Sequence, residues 1–107
     1  LGTLHAGFVF AELAKMAAQR DERLYVSHFR DHDKDEVDLV LEQPGAIVGI
    51  EVKATASVKP DDLRGLKALQ AATGKAFNAG IVLHDGDRIQ QVGDRLFAMP
   101  FDQLWAD

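Results

Sequence analysis

The sequence contains no cysteine in its 107 residues. This absence excludes disulfide bonds and thiolate metal ligands, which fits a reducing compartment. No apolar run approaches the roughly 20 residues needed to cross a bilayer, and the first residues lack the basic segment of a signal peptide. The standard nucleotide-binding and serine-hydrolase motifs are also missing. We therefore expect a soluble, cytoplasmic protein without a membrane partner.

Positive charge is scarce as well, because 12 Lys and Arg oppose 17 Asp and Glu and leave a net charge of −5. This sign excludes a protein that holds nucleic acid by bulk charge alone. The excess lies in residues 1–51, which contain five basic and ten acidic side chains, whereas residues 53–75 are locally basic. A metal-loaded acidic site beside a basic segment is compatible with this distribution.

The length and the 47% hydrophobic content predict one domain, residues 1–107. The chain opens without methionine, directly into helix-like sequence, so we expect a fragment of a longer protein. Apolar spacing predicts a helix over 3–19 and another from Pro60 to Gly74. Runs of β-branched residues predict strands at 24–30, 36–42, 47–54 and 76–84. A short hairpin over 88–99 and a closing helix over 100–107 are predicted to follow. The resulting order is α-β-β-β-α-β.

A hairpin around Pro44-Gly45 determines which side chains face each other. If the turn is centred between these two residues, facing residues have numbers that sum to 89. The register then predicts three apolar pairs on one face: Val37 with Val52, Leu39 with Ile50, and Leu41 with Val48. On the other face it predicts Glu36 opposite Lys53, Asp38 opposite Glu51, and Val40 opposite Gly49. A slip of one residue would mix the two faces, so the hydrophobic pattern favours this register.

Asp38 and Glu51 need compensation if they face each other, because like charges directly opposed across a sheet are destabilising. Lys53 and a divalent cation are two candidates, and oxygen ligands without cysteine favour Mg²⁺ or Mn²⁺. Glu12, within the apolar stripe of the first helix, needs a partner for the same reason. The alternative is a solvated sheet face with a Glu36–Lys53 salt bridge and no site.

These residues resemble the pattern of the PD-(D/E)XK nuclease superfamily, with Glu12 on a helix, Asp38 in EVDLV, and Glu51-Val52-Lys53 in IEVK. The similarity covers roughly residues 4–84. Over the whole chain, GFVFAEL, EVDLV, IEVKA, the AG before IVLH, and MPFDQLW are similar to a C-terminal nuclease-like domain of unknown function. That domain follows an AAA-type ATPase in many bacterial and archaeal proteins.

The resemblance implies an α/β fold, with a mixed central sheet flanked by helices as in restriction endonucleases. It implies that Asp38, Glu51 and the Val52 carbonyl bind Mg²⁺ or Mn²⁺, and that Glu12 binds through water or helps to hold a second ion. Lys53 would position or deprotonate the attacking water. Two departures are Val37, in place of the proline of the family's name, and Gln70, which lacks the tyrosine expected near it in exonuclease-like branches.

The function implied is hydrolysis of phosphodiester bonds in DNA. The alternative is an inactive nuclease-like module that binds DNA or protein or regulates an attached ATPase domain. Whether the domain is an enzyme therefore stays open. Whether it forms a homodimer stays open as well. Basic candidates for contacts to the DNA backbone are Arg30, Lys59, Arg64 and Lys67. The alternatives, which are slightly favoured for Arg30 and more frequent for the other three, are pairing of Arg30 with the acids around it and a solvated helix face for Lys59, Arg64 and Lys67. We expect no metal at His28 and His32, and a surface position for His84.

Overall fold

The computed structural model describes residues 25–101, which form six strands, one α-helix and two short 3-10 turns. The predicted helix over 3–19 and residues 102–107 of the predicted closing helix lie outside these residues. The helix α1 is Arg64–Thr73, and the 3-10 turns are Pro60–Leu63 and Gly74–Ala76. The strands are β1 Tyr25–Arg30, β2 Glu36–Gln43, β3 Ala46–Val52, β4 Phe77–His84, β5 Gln90–Gly93 and β6 Leu96–Pro100.

All six strands belong to one mixed sheet with the order β1-β2-β3-β4-β6-β5. The first three strands pair antiparallel, and α1 provides the crossover that makes β3 and β4 parallel. Strand β6 is parallel to β4, and β5 lies antiparallel to β6 at the edge of this sheet. The predicted α/β class with a mixed sheet is confirmed, and the β-β-β-α-β part of the predicted element order lies within the described residues. Within residues 25–101, no helix combines the length and the apolar character needed to cross a membrane.

Helix α1 packs on one face of the sheet through leucines at helical spacing. Leu63, Leu66 and Leu69 are each at most 5% exposed and join a core that includes Val37 and Val82. Pro60 begins the preceding 3-10 turn, so the helix predicted from Pro60 starts with a tighter first turn than expected. This arrangement fixes the N-terminal end of α1 beside the start of β2.

A glycine at the second position of α1 allows this close approach. A Cβ atom on Gly65 would overlap the carbonyl oxygen of Glu36, so only glycine fits without a shift of the helix or the strand. Gly45 has a different role, because its φ of 75° closes the two-residue turn between β2 and β3.

A second apolar layer covers the other face of the sheet. Ile50 and Leu83 are buried there, at 1% and 0% exposure. Partly buried side chains pack against them: Leu39, Leu41, Val48, Val52, Ile81, Met99 and Phe101. Apolar residues therefore occupy both faces, as is usual where parallel strands form the centre of a sheet. On the α1 side, Val40 and Gly49 are buried under the helix, whereas Glu36 and Asp38 are exposed.

The predicted register of the β2–β3 hairpin is confirmed from the turn as far as Leu39 opposite Ile50. Beyond this point it is wrong for Val37 and Val52, which lie in apolar layers on opposite faces of the sheet. The cause is a β-bulge, because the register with β1 shifts between Ser27–Val40 and Phe29–Val37. One residue of β1 thus faces two residues of β2, which turns Val37 towards α1.

Because of the β-bulge, Glu36 and Lys53 do not form the predicted salt bridge. The Glu36 carboxylate instead lies 3.6 Å from Arg30 Nε and 3.7 Å from His28 Nε2. Lys53 Nζ pairs with Asp62 Oδ1 at 3.4 Å. The bulge therefore decides the partners of the charged residues as well as those of the valines.

Candidate active site

Asp38 and Glu51 meet where the bulge interrupts the ladder between β2 and β3. The backbone N–H of Asp38 donates to Glu51 Oε1 at 3.1 Å, and the backbone N–H of Val52 donates to Asp38 Oδ2 at 2.9 Å. Each carboxyl group thus binds the main chain of the opposite strand, in the place of a regular ladder bond. The structure brings the two acids together by these reciprocal bonds, outside the regular paired register.

Glu51 has a raised pKa in this position. Its pKa is raised to about 8, first by burial, then by the side-chain hydrogen bond that protonated Glu51 donates to Asp38, and by the negative charge of Asp38. The N–H of Asp38 and the charge of Lys53 oppose the shift. Glu51 therefore favours its protonated form at neutral pH.

Lys53 follows Glu51 on the same face of β3. Ile50 and Val52 point into the layer opposite α1, so strand alternation places Glu51 and Lys53 on the α1 side. The Lys53 ammonium reaches Asp62 in the 3-10 turn that precedes α1. The pKa of Asp62 is lowered, first by the N–H of Lys59 and also by the charge of Lys53.

A cleft of about 340 Å³ lies between the β1–β2 turn, the end of β3 and the start of α1. Its lining contains six acidic side chains: Asp33, Asp35, Glu36, Glu51, Asp61 and Asp62. Three basic side chains also line it: Lys34, Lys53 and Arg64. An anion entering this cleft meets an excess of negative charge, which a bound cation would offset.

The remaining predicted residues occupy several places. Glu12 lies outside the described residues. Arg64 lines the cleft and pairs with Asp35 at 3.4 Å and Asp61 at 3.6 Å. The other three candidates for DNA contact lie on β1, before the 3-10 turn and on the exposed side of α1: Arg30, Lys59 and Lys67. Arg64 is therefore the member of this set that the structure places beside Glu51 and Lys53.

Asp38 and Glu51 suit a hard cation by their oxygen chemistry. Within residues 25–101, no group of three or more His, Cys, Asp or Glu side chains is arranged to hold a metal ion. Mg²⁺ commonly binds to one or two carboxylates and completes its shell with waters and substrate phosphates. Each carboxylate has two oxygens and about four lone-pair sites, so one N–H bond does not prevent it from binding a cation. The pair fits Mg²⁺ or Mn²⁺ on this basis.

His84 is a residue whose position the sequence analysis predicted wrongly. It is 5% exposed at the end of β4, where its Nδ1 accepts the N–H of Gly86 at 2.8 Å, and its buried Nε2 has no hydrogen-bond partner among residues 25–101. Val52 pairs with Leu83, and the Lys53 N–H donates to the Leu83 carbonyl at 2.8 Å, so the register sets His84 beside Lys53. Alternation along β4 from the buried Val82 would have signalled this burial.

The fold and the site together define a mixed-sheet α/β domain with an acidic cleft between β3 and α1. The chain belongs to the family described as domain of unknown function DUF4143, whose model matches residues 1–104. No curated protein matches the sequence. The expected resemblance to a domain of unknown function is thereby confirmed.

Proposed function

We propose that this domain hydrolyses phosphodiester bonds in DNA with Mg²⁺ or Mn²⁺ bound at Asp38 and Glu51. The observation that carries the proposal is the reciprocal bonding at the bulge, which joins carboxyls from neighbouring strands. Two carboxylates held this close repel each other unless a proton or a cation lies between them. The raised pKa of Glu51 has the same origin, because burial and Asp38 both disfavour its charge.

The residues of the site would have different roles in this reaction. Asp38 and Glu51 would hold the cation, with the Val52 carbonyl as a third ligand and Glu12 in the supporting role that the nuclease resemblance implies. A bound divalent cation lowers the pKa of a water molecule and neutralises charge on the phosphate. Lys53 orients that water and donates to a phosphate oxygen, since its ammonium has three donors.

The charge of the cleft supports a cation-dependent reaction. DNA is an anion, and the acidic side chains lining the cleft outnumber the basic ones two to one. Arg64 supplies a positive group at the start of α1, and Lys53 supplies another at the end of β3. With a cation at the carboxyl pair, DNA is the proposed partner of the cleft. An ATPase domain in the same full-length chain is a second proposed partner, and a homodimer is a further candidate.

A second candidate function is a nuclease-like module that binds DNA or protein, or regulates the attached ATPase, without catalysis. The specific observation in its favour is that the proposed catalytic groups within residues 25–101 already have internal partners. Asp38 and Glu51 accept main-chain N–H groups, and Lys53 pairs with Asp62. A retained scaffold would keep these contacts for stability alone.

Cleavage assays on plasmid, branched and single-stranded DNA with Mg²⁺ or Mn²⁺ separate the two candidates. The variants are Asp38→Asn, which keeps an oxygen acceptor for the Val52 N–H, and Lys53→Ala. We expect each to lower the cleavage rate by about 10²-fold or more, as for loss of one electrostatic group in an active site. Lys75→Ala is a matched control on an exposed residue after α1. Cleavage by none of the proteins favours the non-catalytic module, and equal cleavage by all of them contradicts the assigned site.

A further inference from the structure

Lys53 has one ion-pair partner within residues 25–101, and this partner is outside the carboxyl pair. Its Nζ lies 3.4 Å from Asp62 Oδ1, and the two side chains are 39% and 20% exposed. Both residues line the cleft that also contains Glu51. The long lysine side chain is thus directed across the cleft from β3 towards the 3-10 turn.

Asp62 is itself held rigidly by the main chain. Its Oδ2 accepts the N–H of Lys59 at 2.9 Å, and its own N–H donates to the Lys59 carbonyl at 2.9 Å. Pro60 lies in the same turn and fixes a backbone angle there. One carboxylate oxygen therefore anchors Asp62 to the scaffold, while the other faces the Lys53 ammonium.

We propose that Asp62 is a positioning residue of this site, which holds the Lys53 ammonium across the cleft from the carboxyl pair. The role of Asp62 in catalysis rests on the proposed function, whereas the restraint on Lys53 rests on the geometry alone. A lysine ammonium is a point charge on a flexible four-carbon stem, so its location depends on a fixed partner. Held by Asp62, it stays in the cleft that Glu51 also lines.

Asp62→Asn tests this role because asparagine keeps an oxygen that accepts the Lys59 N–H and removes only the negative charge. The first readout is the rate of reductive methylation of Lys53, followed by peptide mass spectrometry without added metal. We expect Lys53 to react about two- to fivefold faster in Asp62→Asn, the range that corresponds to loss of a partly exposed ion pair. The second readout is DNA cleavage with Mg²⁺, where kcat should fall by about tenfold with KM nearly unchanged.

Asp87→Asn is the matched control, because Asp87 also forms an ion pair, with Arg88, but is 95% exposed and outside the cleft lining. It should leave both readouts unchanged. An unchanged methylation rate in Asp62→Asn overturns the restraint, even if the wild type cleaves DNA. Faster methylation in a domain that cuts no DNA supports the restraint and removes the proposed function. Faster cleavage by Asp62→Asn would show that Asp62 competes with substrate for Lys53, contrary to positioning.

Discussion

At the scale of residues, Asp38 and Glu51 are held close together by their bonds to the main chain. Each accepts an N–H from the opposite strand, so neither can move away without leaving a main-chain donor unpaired. Burial and the neighbouring Asp38 raise the pKa of Glu51 to about 8, so Glu51 favours its protonated form at neutral pH. A cation that binds there would displace this proton, which links the local geometry to the proposed chemistry.

The raised pKa of Glu51 predicts that the domain loses stability as pH rises. Its folded pKa of about 8 exceeds its ordinary value of 4.5, so the folded state holds a proton that the unfolded chain has released between these values. The stabilisation is fully present below pH 4.5 and is lost as pH rises through 8. Urea unfolding between pH 5 and 8 should show this decline, with a slope of at most about 1.4 kcal/mol per pH unit.

Glu51→Gln should flatten that slope, because glutamine does not titrate. Glu42→Gln, on an exposed residue of β2, is the control and should retain the wild-type slope. Asp62 acts in the opposite sense, since its lowered pKa gives stability that is lost only as pH falls below its ordinary value of 3.8. A wild-type slope that survives in Glu51→Gln would assign the effect to another group.

At the scale of elements, the bulge in β2 and the start of α1 build the site together. The bulge turns Val37 under α1 and breaks the ladder at Asp38. Gly65 then lets the N-terminal end of α1 come against the Glu36 carbonyl, which brings Asp62 and Arg64 to the same cleft as Glu51. The position of the helix is therefore part of the site's geometry.

Gly65→Ala should destabilise the domain by about 1–3 kcal/mol, because the added Cβ would overlap the Glu36 carbonyl oxygen. The sign is diagnostic, since alanine in an ordinary helix interior stabilises by about 1 kcal/mol relative to glycine. Ala72→Gly, at an exposed position of α1, is the reverse control and should cost about 1 kcal/mol. A free energy of unfolding that increases in Gly65→Ala would contradict the close contact.

Local patterns predicted most of these elements, and long-range contacts account for what they missed. The spacing of Leu63, Leu66 and Leu69 indicated α1, and the Pro44-Gly45 turn indicated the hairpin register as far as Leu39. The alternation of EVDLVL continues regularly through Asp38, so nothing in β2 alone reveals a bulge. The bulge depends on pairing with β1, where one residue faces two. Val37 was assigned to the wrong face for this reason.

At the scale of the whole molecule, the topology of the mixed sheet brings charged groups together at the end of its buried strands. Strand β2 supplies Asp38, the 3-10 turn before α1 supplies Asp62, and the end of β3 supplies Glu51, which Lys53 follows two residues later. The motif spacing predicted Asp38, Glu51 and Lys53 as candidates. Asp62 and His84 were missed because their place beside Lys53 depends on the crossover and the parallel pairing of β3 with β4. Apolar layers on both faces of the sheet support this arrangement.

Calorimetric titration of the whole chain with Mn²⁺ at pH 7, in two buffers of different ionisation enthalpy, tests most directly whether Asp38 and Glu51 form one cation site. We expect one strongly bound ion per chain and release of nearly one proton, because the pKa of Glu51 is about 8 before binding. Asp38→Asn and Glu51→Gln should each weaken binding by about 10-fold or more, while Glu42→Gln binds as the wild type does. Equal Mn²⁺ affinity in all four proteins, or no binding to the wild type, would contradict the account.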